Sequence, residues 1–251
     1  MTGVVTGDSN VAVGYGAGAA ITSGSSNILI GGQGTGNNIT TGSGNIALGT
    51  NALTTLTAST YPNIAIGENA LYSMATGYQN IAIGYRAGES ATGVGLTLMG
   101  DSAGLSITSG NSNTYYGYAA GYATTTSANN VAIGSNALVA NTTGATNTAV
   151  GDSAGASVTT GGGNVLLGYS SGDNITTGNR NIVIGYLNDT FNSSSQDTIV
   201  MGYAVTGGGN DTFRFGRGSL DSQIAYGATS ITAPSDIRLK EDIQRSEEHT
   251  S

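Results

Sequence analysis

Short apolar bursts alternate with polar stretches along nearly the whole chain. The segment Asn-Ile-Ala-Ile-Gly occupies residues 63–67 and returns at 80–84. Two large apolar residues flank a small one, which is the period-two alternation of a strand. A polar stretch follows each burst, as in Ser157-Val158-Thr159-Thr160 or Asn174-Ile175-Thr176-Thr177, and Thr-Gly or Ser-Gly turn chemistry closes it. The pattern predicts two strands of about four or five residues in every unit. No stripe at the i, i+4, i+7 spacing of a helix competes with it.

The bursts fall into register on one glycine: Gly14, Gly31, Gly49, Gly67, Gly84, Gly100, Gly117, Gly134, Gly151, Gly168, Gly185 and Gly202. The spacings are 17, 18, 18, 17 and 16, then 17 six times in succession. A fixed short period of this kind is the mark of a stacked repeat. The expected fold is therefore all-β, a parallel β-roll or solenoid of about twelve 17-residue rungs. With neighbouring strands about 4.8 Å apart, the stack would be a rod on the order of 50 Å long.

Each rung carries few apolar side chains, with Val165, Leu167 and Val158 the expected core of one of them. At about 25 cal/mol per Å² such a rung cannot be stable alone. Stacking is one remedy, and packing several chains around a shared axis is another. The Asn heading each unit (Asn10, Asn27, Asn45, Asn63, Asn80, Asn113, Asn130, Asn147, Asn164, Asn181) is expected to form an inward hydrogen-bonded column. Tyr15, Tyr85, Tyr118, Tyr169, Tyr186 and Tyr203, each following its glycine, are expected to cover rung edges with their hydroxyls in water. A sugar-stacking surface is the other use for them.

Composition narrows the functions. The chain has 251 residues with 42 Gly, no Cys, no Trp and a net charge of −8. Without Cys there are no disulfides, thiol nucleophiles or thiolate metal sites. Up to Pro234 four Arg stand against ten acids, so counterion-release binding to nucleic acid has nothing to work with. No apolar run approaches the length of a membrane span, and the N-terminus lacks the pattern of a signal peptide. No cofactor or metal is expected. Asp101 and Asp152 share one Asp-Ser-Ala-Gly position and read as turn residues. Gly207–Asp211 has a weak likeness to a calcium-binding nonapeptide, in one copy only.

The units Asn-Ile-Ala-Ile-Gly-Glu-Asn-Ala-Leu (63–71) and Asn-Val-Ala-Ile-Gly-Ser-Asn-Ala-Leu (130–138) resemble the head repeats of trimeric autotransporter adhesins. They resemble still more the repeat arrays of phage tail fibres. Both resemblances cover about residues 4–203 and imply three chains wound side by side into one shaft. The segment Pro-Ser-Asp-Ile-Arg-Leu-Lys-Glu-Asp-Ile, 234–243, resembles the start of the intramolecular chaperone of phage tail fibres and endosialidases. That resemblance implies trimerisation, followed by self-cleavage between Ser235 and Asp236. Ser235 would be the nucleophile and Lys240 its assisting base, in the full chaperone-containing protein only.

These likenesses divide the chain into a repeat shaft or head at 1–203, a β-rich neck at 204–234, and the truncated start of the chaperone at 235–244. The neck replaces the repeat pattern with Phe213, Phe215 and Ile224. Residues 245–251, Arg-Ser-Glu-Glu-His-Thr-Ser, match a translated sequencing adapter and are expected to be artefact, which removes His249 from any chemistry.

The leading expectation is a non-enzymatic, host-recognising segment of a phage tail fibre. It would be a rigid homotrimer located on the virion, with an unidentified cell-surface receptor or glycan as partner and no membrane insertion. A bacterial trimeric adhesin head on the cell surface is the alternative. An ice-binding solenoid comes third, because Thr22, Thr108, Thr125, Thr142, Thr159 and Thr176 recur at one point of the unit.

Overall fold

A computed structural model of the chain describes residues 6–58, 61–218, 220–225 and 227. Ser235, Asp236, Lys240 and His249 lie outside the described residues. Twelve parallel strands stack in chain order: β1 Val11–Val13, β2 Ile28–Ile30, β3 Ile46–Leu48, β4 Ile64–Ile66, β5 Ile81–Ile83, β6 Thr97–Met99, β7 Thr114–Tyr116, β8 Val131–Ile133, β9 Thr148–Val150, β10 Val165–Leu167, β11 Ile182–Tyr186 and β12 Ile199–Tyr203. β13, Thr212–Arg217, continues the parallel ladder, and β14, Leu220–Ala225, folds back antiparallel on it. The described residues contain no helix, so the chain is an all-β solenoid of about twelve rungs.

Two expectations need correction. Each rung holds one strand, not two. In the Thr-Thr-Gly stretch, three successive N–H groups, those of Thr159, Thr160 and Gly161, donate to the single carbonyl of Thr176 in the next rung, at 2.9, 3.2 and 3.2 Å. Converging donors need a bend, whereas an extended strand points successive donors to opposite sides. The stretch stacks on its neighbours without becoming a strand.

The core also faces the other way. Asn and the middle residue of the strand are two apart and so share a face. With Asn turned inward, the small central residue must follow and the flanking large ones must turn out. Asn27 and Leu29 are fully buried while Ile28 and Ile30 are exposed. Likewise Leu166 is buried and Val165 and Leu167 lie on the outer face, with Val158 inside as expected. An inward Asn column and inward flanking residues are incompatible in one strand.

What fills the interior is a trade between two positions. Where the central strand residue is Ala (Ala47, Ala65, Ala132), a buried Leu stands at the corner five residues on from the strand's end (Leu53, Leu71, Leu138). These leucines accept a left-handed backbone, φ 50–52°, to point inward. Where the central residue is Leu29, Leu98 or Leu166, the corner is Gly36, Gly104 or Gly172. At Gly172 a Cβ would come within 2.6 Å of Leu166 Cδ2.

The first, fifth and ninth rungs have a small residue at both positions and borrow from their neighbours. A Cβ on Gly155 would meet Leu166 from one side and Leu138 from the other, at 2.5 and 3.0 Å. Tyr115 in β7 is the extreme case. Its buried hydroxyl lies 3.0 Å from Thr124 Oγ1, and burial pushes its pKa up to about 12.

The Asn column is continuous through each half of the stack. Asn164 donates its main-chain N–H and its Nδ2 to Asn147 Oδ1, both at 3.0 Å, and Nδ2 also reaches Gly178 O at 3.0 Å. Asn181 repeats the arrangement on Asn164. Each buried amide thus satisfies the rung below and the loop above, as a buried polar group must. Leu96 interrupts the column: its N–H still donates to Asn80 Oδ1 at 2.9 Å, but its side chain has no oxygen for Asn113.

The anchor glycines are required by close backbone approach. Gly134 has φ +135°, and a Cβ there would stand 2.3 Å from the carbonyl oxygen of Gly151 in the next rung. At the C-terminal end, Arg214 pairs in register with Val200 and so follows the core column. Arg214 Nη2 donates to Asp221 Oδ1 at 3.0 Å and Nη1 to Thr206 O at 2.8 Å. Among the described residues the stack ends in the hairpin of β13 and β14, which this ion pair holds.

Candidate interaction face

The alternation that buries Asn and Ala delivers the large residues of every strand to one outer face. Two parallel columns result. One runs Val11, Ile28, Ile46, Ile64, Ile81 and onward; the other runs Val13, Ile30, Leu48, Ile66, Ile83 and onward. Val13 is 54% exposed and Tyr116 55%, with Ile133, Val150 and Met201 each between 37% and 39%. Every residue of the two columns is at least partly exposed, over twelve successive rungs. Soluble monomers rarely show a contiguous patch beyond a few hundred Å².

A third column follows the anchor glycines and carries the tyrosines. Tyr15, Tyr85, Tyr118, Tyr169, Tyr186 and Tyr203 are all exposed. The last three form a stacked run, with centroids 5.0 Å apart for Tyr169–Tyr186 and 5.3 Å for Tyr186–Tyr203. Arg217 closes the run, its guanidinium carbon 5.4 Å from the Tyr203 ring centre. Ring faces turned to one another are not open to a sugar, which leaves edges and hydroxyls to solvent. The arrangement favours edge cover over sugar stacking for these three.

Charge is sparse, and three of the four described arginines pair with a carboxylate. Arg180 holds Asp197 through two bonds of 2.7 Å, which lowers the Asp197 pKa, and Arg86 pairs with Glu89. Asp101 and Asp152 accept hydrogen bonds from Ser102 and Ser153, at 2.6 and 3.0 Å, as turn residues do. Asp189 stands one repeat after Gly172, at the corner where earlier rungs place Gly or Leu. Burial raises its pKa to about 6, against the N–H of Asn174, which donates to it at 2.9 Å. Among the described residues no group of three His, Cys, Asp or Glu is placed to hold a metal ion, the Gly207–Asp211 stretch included.

The recurring threonines spend their hydroxyl protons within the stack. Thr108, Thr125, Thr142 and Thr159 each donate Oγ1–H to the carbonyl of the threonine one rung on, at 3.1 Å.

Sequence reasoning placed the Asn column and the exposed tyrosines but missed the apolar outer face. The signal was present: period-two geometry ties the flanking residues to the side opposite Asn. No protein-family model, curated protein or solved structure matches the chain.

Proposed function

We propose that this chain is a length of fibre shaft in which three copies cover one another's apolar sheet faces, and that the fibre is a phage tail fibre. Its work is mechanical and adhesive: a stiff spacer that holds a receptor-contacting surface away from its attachment point. The observation that carries the reading is the uncovered apolar face running from β1 to β12. It is continuous over twelve rungs, and contiguous apolar patches of that extent mark sites of association. In the full protein, a chaperone beginning at Ser235 would trimerise the shaft and then release itself at the Ser235–Asp236 bond, with Lys240 assisting.

A trimeric adhesin head on a bacterial surface would use the same face, and the Ser-Asp-Ile-Arg-Leu-Lys segment favours the fibre. Ice binding draws less support, since the Thr hydroxyls already donate within the stack. The test is light scattering and gel analysis of the chain continued through a complete chaperone. Three times the chain mass is expected, together with cleavage that Ser235→Ala abolishes. A stable monomer sinks the shaft reading, and cleavage persisting in the variant refutes the assignment of Ser235.

A further inference from the structure

A perfectly repeated face has a weakness. Its columns recur about every 4.8 Å, so two copies that slide by one rung regain almost every contact. Register must come from a place where the face is irregular in both columns at once. The sixth and seventh rungs are such a place.

In β6 and β7 the first column changes from Ile to Thr97 and Thr114, and the second changes to Met99 and Tyr116. Tyr116 projects, 55% exposed, beside an open notch of about 230 Å³ lined by Ile83, Met99 and Gly100. The spacing from Gly84 to Gly100 shortens to 16 at the same point, and Leu96 breaks the Asn column there. A knob, a notch and a polar gap thus coincide here, whereas elsewhere along the described strands only one column changes at a time, as at Thr148 and Met201.

We propose that these two rungs are the register key of the assembly. Thr97, Met99, Thr114 and Tyr116 of one copy seat against a second copy of this chain and fix its axial alignment. The inference rests on the reading that copies pack through this face. A second copy is the occupant because the face runs the length of the stack, and only a partner with the same rung period can cover it throughout. In the aligned register the projecting Tyr116 of each copy meets the notch that lies beside its counterpart. One rung out of register in either direction, the Tyr116 of one copy stands opposite the β-branched Ile133 of the other, and overpacking opposes the slip.

The test moves the key by two rungs without changing composition or any inward side chain. The variant carries Thr97→Val, Met99→Ile, Tyr116→Val, Val131→Thr, Ile133→Met and Val150→Tyr. Parent chain continued through a complete chaperone and carrying a short mass tag is co-expressed with its untagged form, or with the shifted variant continued in the same way, and native mass spectrometry counts the mixed oligomers. Tagged and untagged parent should mix at random. Parent and shifted variant should give at least about fivefold fewer mixed species, as expected when matched partners are preferred.

Random mixing of parent with shifted variant would overturn the key while leaving the assembly intact. A parent that forms no oligomer overturns the shaft reading, and the key with it. If the shifted variant fails to fold, Tyr116→Val with Met99→Ile serves alone. Its reduced mixing with parent supports the key, and random mixing refutes it.

Discussion

The two sides of each strand are built on opposite terms. On the inner side, Asn147 holds Asn130, Asn164 and Gly161 in one hydrogen-bonded set, and neighbouring Ala, Leu and Gly fill the remaining space. Nothing there waits for a partner. On the outer side, one residue away, Ile133 and Val150 lie open on a flat apolar column. The difference separates two kinds of stability: the stack holds its own shape from within, and the unfinished side is where association is decided.

The largest effect expected from breaking this contrast is on the inner side. Asn147→Ala leaves the N–H of Asn164 and the carbonyl of Gly161 buried without partners. A loss on the order of 3–5 kcal/mol is expected, read as the shift in chemical-denaturation midpoint. A change below about 1 kcal/mol would mean the column contributes little.

The next test sharpens the contrast by asking what a charge does at a half-buried corner position. Asp189 has its folded pKa raised from 3.8 to about 6. A raised carboxyl favours the folded state in its neutral form, so its contribution is full below the unfolded value and is lost as pH rises through about 6. Stability should therefore fall between pH 4 and pH 7, by about 1 kcal/mol once water screening at this half-buried site is allowed for. Asp189→Asn should flatten that slope. Urea titrations at the two pH values decide it, and an unchanged slope in the variant rejects the assignment.

The smallest effect on the chain's own stability belongs to the outer side. Ile133→Thr should alter single-chain unfolding by no more than about 0.5 kcal/mol while weakening association measurably by sedimentation. Destabilisation comparable with that of Asn147→Ala would mean the outer column is part of the core.

The anchor glycines made the repeat legible, because backbone contact between Gly134 and Gly151 tolerates no side chain and so stamps one residue type at one spacing. The Asn column was legible for a similar reason: a buried amide needs its own kind above and below. The direction of Val165 and Leu167 was misread because hydrophobicity alone suggests burial, and here the polar Asn sets the face. The Thr-Thr stretch was misread because β-branched residues favour strands, while the converging donors onto Thr176 are a property of the bend. The Arg214–Asp221 pair was not legible, since nothing in the repeat pattern says where a hairpin replaces it.

The exchange between central and corner residues limits how such a molecule can change its length through recombination. From outside, the units look interchangeable, and duplicating or losing 17 residues should cost nothing. From inside they obey a grammar. The fifth rung, with Ala82 and Gly88, is filled only because Leu71 and Leu98 enter it from either side. Excise that rung and the two leucines meet in one space; duplicate it and one copy is left hollow. Viable insertions and deletions must fall at boundaries where large and small already agree, so the length of the rod is inherited in phrases rather than in single units.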